Sequence, residues 1–147
     1  MSKTKSRHVL KWVGATSMAL SLAGCLMNAV KPDQGRALDM TFYNFSSDMR
    51  WSDFDAAYDF VDPKTKMDHP LTDVDTARLK QIEISEYHVI SSLKGDGVVD
   101  QQVQLLVVNR NTQIQRTIIY HEHWRWDSSV KRWWLTTGLP DFSPQDQ

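Results

Sequence analysis

The rhythm of apolar and polar positions along this chain changes twice. Val13 to Leu22 is a run of ten residues without a charge. Further on, Phe54, Ala57, Tyr58 and Val61 recur at i, i+3, i+4 and i+7, which puts them on one side of a helix. Ser52 stands where it can cap the first free amides, and Asp55 three residues later makes a capping-box variant. Asp53 and Asp55 lie at the positive end of the helix dipole, and Pro63 ends the run. The stretch "TFYNF" at 41–45 reads equally as a short strand or a helical turn.

Past residue 78 the pattern belongs to strands. Segments 81–93, 98–109, 114–127 and 130–137 are rich in Ile, Val, Thr, Tyr and Trp, and "KGDG", "NRNTQ" and "DSS" separate them as hairpin turns. Connections this short force antiparallel neighbours. A two-residue loop at Asn111-Thr112 sets Leu105 opposite Ile118, Val103 opposite Tyr120 and Val99 opposite Trp124. A loop at Ser128-Ser129 sets Trp124 opposite Trp133 and Glu122 opposite Leu135. Both choices collect the large apolar residues on one face, as a half-buried sheet requires. In the first hairpin a two- or three-residue turn decides whether Ile84 and Ile90, or Tyr87 and Val89, point inward. The expectation is an α+β fold, with one main N-terminal helix packed on a curved four-stranded antiparallel meander.

Composition changes the picture at the N-terminus. Residues 1–12 carry Lys3, Lys5, Arg7 and Lys11, and no acidic residue precedes Asp33. A basic head, a short apolar middle and the small residues Ala23 and Gly24 have the layout of a secretory signal. The apolar run is half the length of about 20 residues that a membrane-spanning helix needs. The only cysteine, Cys25, follows immediately. Leu22-Ala23-Gly24-Cys25 resembles the lipobox of bacterial lipoproteins. That resemblance implies acylation of Cys25, cleavage before it, and membrane attachment through the lipid. Leu26 in place of an aspartate implies the outer membrane, with the domain facing the periplasm.

Three regions follow: a signal peptide at 1–24, the lipidated cysteine with a tether at 25–39, and a single domain at 40–147. The tether reading rests on the lack of sustained periodicity in 26–39 and on Pro32 and Gly35. Removing 1–24 takes away four basic and no acidic side chains, leaving 13 against 18 and a net charge of −5. A mildly acidic domain with scattered basic residues has no electrostatic footprint for nucleic acid. Five of the six tryptophans lie beyond residue 40, enough for a real core without disulfides.

The order of helix then long strands, closing on "HWRWDSSVKRWWL", resembles the second half of nuclear transport factor 2-like domains over residues 50–137. A cystatin-like helix-on-sheet is the rival resemblance. The chain departs from the former pattern by lacking a signal for the second and third helices that close its cone. That departure argues against a deep pocket.

Three groups of residues invite chemistry. His121 and His123 share one strand face, and the register brings Asp100 opposite His123, so two imidazoles and a carboxylate converge as candidate metal ligands. Arg125 and Arg132 on the same polar face oppose a divalent ion, and the expected reading is a solvated strand face with no metal. Glu122 points the other way, towards Tyr120, Trp124 and Leu135, where burial raises a carboxylate's pKa and fits it for acid–base work. The plainer reading pairs it with Gln101 opposite. Trp124 and Trp133 read as a cross-strand core pair. No nucleophile motif, phosphate-binding loop or cofactor signature occurs. The expectation is therefore a non-enzymatic envelope lipoprotein that binds or scaffolds. Its partners are the membrane through Cys25 and either an envelope protein or a second copy, docked on a sheet face bearing Leu106, Ile119 and Trp134. A small-ligand carrier, or a pocket enzyme using Glu122, is the alternative.

Overall fold

The computed structural model describes residues 31–143, so the signal, the lipobox and Cys25 lie outside the described residues. Among the described residues four helices precede four strands. They are α1 (Pro32–Trp51), α2 (Phe54–Tyr58), α3 (Pro63–Asp68), α4 (Asp73–Leu79), β1 (Ile82–Lys94), β2 (Val98–Asn109), β3 (Gln115–Asp127) and β4 (Arg132–Leu135). The strands form one antiparallel sheet in chain order, and the fold is α+β.

The main helix is not where the local pattern put it. Residues 32–39, read as tether, are the first turns of the 20-residue α1, and "TFYNF" lies in its middle. Pro32 takes the first helical position, where its missing N–H costs nothing. Leu38, Phe42, Phe45 and Met49 recur at i, i+4, i+7 and i+11, and all four pack into the core. The helix ends at Ser52, whose φ of 57° is left-handed. Ser52 therefore does not cap α2. Its hydroxyl accepts the Ile84 N–H at 3.1 Å and ties the helix end to β1.

The cap of α2 is Asp53, whose carboxylate accepts from the Ala56 N–H at 3.1 Å. This helix stops at Tyr58 rather than running to Val61, because Phe60 and Asp62 form backbone bonds to Leu135 and Val61 bridges it in parallel. Pro63 opens α3 instead of only closing what precedes it. Thr72 and Asp75 form a capping box for α4. The expectation of no further helices after the first is corrected by these three short ones.

The sheet follows the expected segments closely. Between β2 and β3 every anticipated pair is present, including Val103 with Tyr120 and Asp100 with His123. The last hairpin is shifted by two residues. Trp124 faces Leu135 and Trp126 faces Trp133, so Glu122 has no β4 partner. Asp127 causes the shift. Its carboxylate accepts from the Ser129 amide and hydroxyl, which draws the turn forward to Lys131 at φ 51°. Gly95 donates its N–H to the Val98 carbonyl, so the first turn is the two residues Asp96-Gly97, with Gly97 at φ 71° supplying the left-handed position.

Strand β1 resolves the inward-facing ambiguity with bulges at Ser85 and Ile90. Each extra residue flips the alternation, so Ile84 and Tyr87 both face the helix side. The Ser85 hydroxyl donates to the Leu106 carbonyl and pins the first bulge. The core is centred on Trp124, fully buried between Phe42, Phe45 and Phe60 with ring centroids 5.1–6.5 Å away. Trp133 is equally buried and donates its indole N–H to the Gln34 carbonyl at 3.0 Å, fixing the start of α1 on β4.

Candidate functional site

Two polar constellations stand back to back across β3. On the helix side is Glu122, only 2 % exposed. Tyr87 donates its hydroxyl to Oε1 at 2.5 Å. Trp124 Nε1 donates to Oε2 at 2.9 Å, and Gln101 Nε2 to the same oxygen at 3.3 Å. Burial pushes the Glu122 carboxyl up to about 7, against the lowering pull of these three donors. Burial and the neighbouring carboxylate together push the Tyr87 phenol far above its ordinary range. Tyr120 is raised for the same reasons, and its hydroxyl donates to the Gly138 carbonyl.

The group is chemically poised but closed off. Each carboxylate oxygen already meets a donor, and almost none of the side chain reaches solvent. Sequence reasoning anticipated Gln101 and the raised carboxyl. It missed Tyr87 as the strongest partner, because only the Ser85 bulge turns that phenol inward. Leu135, expected opposite Glu122, belongs opposite Trp124.

On the other side of the sheet, Asp100, Gln102, His121 and His123 line an open groove of about 590 Å³ with Ser91 and Leu93, and its lining also reaches Gln101 and Glu122. His123 Nδ1 lies 2.6 Å from Asp100 Oδ1. An ionised carboxylate only accepts, so Nδ1 is the donor of this pair, and in the neutral ring the free lone pair is then on Nε2. His121, two residues away on the same face, is exposed. Among the described residues no group of three or more His, Cys, Asp or Glu is arranged to hold a metal ion.

The two arginines of this face are already engaged. Arg125 pairs with Asp62 at 2.6 Å and approaches Asp127 at 4.0 Å. Arg132 lies 4.3 Å over the Trp134 ring and donates to the Asp59 carbonyl. Burial raises the Asp62 carboxyl, but the Arg125 bond and the amides of Lys64 and Thr65 outweigh it and hold the group below the usual carboxylate range. No local signal marked Asp62, since its partner lies 63 residues away.

A further cleft of about 410 Å³ opens between α3, α4 and the segment after β4, with His69, Arg78 and Asp141 on its walls. Its residues come from elements that only the folded chain brings together.

No family model matches the chain. No curated protein matches it in sequence. Among solved structures it is similar to the solution structure of a SEC-C motif containing protein from Rhodopseudomonas palustris. The identity is 16%, the TM-score 0.54, and the likeness covers 72% of this chain and 87% of that one. At that identity the likeness concerns the fold alone.

Proposed function

We propose that this protein is a lipid-anchored component of a bacterial cell envelope, held by acyl chains on Cys25, whose α+β domain faces the periplasm and works by binding or scaffolding. The observation that carries the reading is Leu22-Ala23-Gly24-Cys25, placed directly behind a basic head and a short apolar run. Each buried methylene contributes about 0.8 kcal/mol, so one chain binds reversibly while two or more hold the protein to the bilayer. Leu26 favours the outer membrane by the same resemblance.

Chain length supports the reading. Six residues, 26–31, separate the cysteine from α1. At about 3.5 Å per residue they span at most about 20 Å, so the domain works close to the lipid. No helix among the described residues is long and apolar enough to cross a membrane. Binding is favoured over catalysis by the closed surroundings of Glu122 and by the open form of the sheet groove. The 410 Å³ cleft counts against the carrier alternative, which calls for a dry cavity without convergent ionisable groups, because His69, Arg78 and Asp141 stand on its walls. We read the domain as a reduced nuclear transport factor 2-like one, with α2–α4 in place of longer helices.

The test is metabolic labelling with a palmitate analogue in a Gram-negative host, followed by fractionation and mass spectrometry. Label on the wild type at position 25, none on Cys25→Ser, and loss of the variant from the outer-membrane fraction are the expected results. An unmodified thiol on a full-length cytosolic chain would overturn the proposal.

A further inference from the structure

The Asp100–His123–His121 groove has more organisation than a solvated strand face requires. We propose that His121 and His123 form an exchangeable two-imidazole binding site for a divalent first-row transition ion, copper(II) above zinc(II), with Asp100 as a positioning residue.

Three observations carry this. Asp100 accepts from His123 Nδ1 at 2.6 Å, so in the neutral ring the lone pair lies on Nε2, on the side away from the carboxylate. This carboxylate–histidine arrangement is the outer-shell support that orients a metal-bound imidazole. His121 and His123 are alternate residues of one regular strand, with no bulge in β3 between them. They therefore stand about 6.7 Å apart along the backbone on one side of the sheet, and both line the same groove. Finally, the two nearby cations are directed to other partners. Arg125 is turned to Asp62 and Asp127, and Arg132 is stacked on Trp134, while Asp100 contributes a negative charge inside the groove.

Two side-chain nitrogens leave the remaining coordination positions to water. Such a site suits an ion that accepts tetragonal nitrogen and oxygen donors, and the general affinity order places copper(II) above zinc(II) for a given set. It does not suit a structural zinc ion, which takes four protein ligands. The site uses no residue of the proposed lipid anchor, so either proposal can fail without the other.

Isothermal titration of copper(II) and zinc(II) tests it on the full chain carrying Cys25→Ser, which removes the one competing thiol. The expected result is one groove-bound copper(II) per chain with zinc(II) weaker. His121→Ala or His123→Ala should weaken copper(II) binding at least about tenfold, and Asp100→Asn about tenfold, the low end for an outer-shell partner. His69→Ala, at the distant cleft, should change nothing. Spin-echo spectra of the copper(II) form should show two coupled imidazoles, and one in either single variant. Absence of binding, or equal binding and spectra in the His121→Ala/His123→Ala double variant, would overturn the site. His121 is exposed and His123 only partly covered, so these variants should fold, and circular dichroism checks that they do.

Discussion

Glu122 shows how one buried residue makes stability depend on pH. Its carboxyl sits at about 7 in the folded chain against an ordinary 4.5. The folded state therefore holds the proton more tightly than the unfolded one. Its stabilising contribution is full below pH 4.5 and is lost as pH rises through 7. Urea unfolding should show stability falling by on the order of 3 kcal/mol between these limits, with Glu122→Gln flattening that slope. Tyr87→Phe removes the shortest of the three donors and should cost about 1–3 kcal/mol, since it leaves a buried acceptor short of a partner. Sequence reading reached Glu122 and Gln101 because both lie in the regular β2–β3 register. It did not reach Tyr87, because a bulge is a local irregularity that strict alternation cannot anticipate.

At the scale of elements, α1 and β1 carry the lessons. The spacing Leu38, Phe42, Phe45, Met49 was present in the chain, but Pro32, Gly35 and a polar composition made the first turns read as tether. Helices of this kind draw most of their stability from the face they bury. Leu38→Ala distinguishes the two readings. In a tether it would be neutral, whereas at 1 % exposure in the core it should cost about 2–5 kcal/mol in chemical denaturation. Deleting Ser85 should remove the bulge while keeping Glu86 opposite Leu106 and Tyr87 opposite Leu105, so that Tyr87 stays inward. Retained near-ultraviolet dichroism, with a melting temperature lowered only by the loss of the Ser85–Leu106 bond, is the expected result.

For the whole molecule, the segment after β4 closes the edge that β4 is too short to cover. Thr136 bonds back to His123, and the Arg116 guanidinium bonds the carbonyls of Phe142 and Ser143. Phe142 packs edge-on against Phe54 with centroids 5.5 Å apart. Ending the chain at Leu139 should remove that contact and free Arg116. The expected loss is about 3–5 kcal/mol, the cost of removing a buried Phe side chain, read from the denaturant midpoint. The same truncation would open the 410 Å³ cleft, because Pro140, Asp141 and Phe142 form part of its wall.

By itself the sequence determined the strands, the β2–β3 register, the α+β class and the inward direction of Glu122. Each depends on alternation and short turns, which are local properties. The tertiary structure alone decided the extent of α1, the two-residue shift of the last hairpin, the bulges of β1 and the pairing of Asp62 with Arg125. These depend on burial against distant residues and on which side chain reaches a backbone group first, and no window of neighbouring residues contains that information.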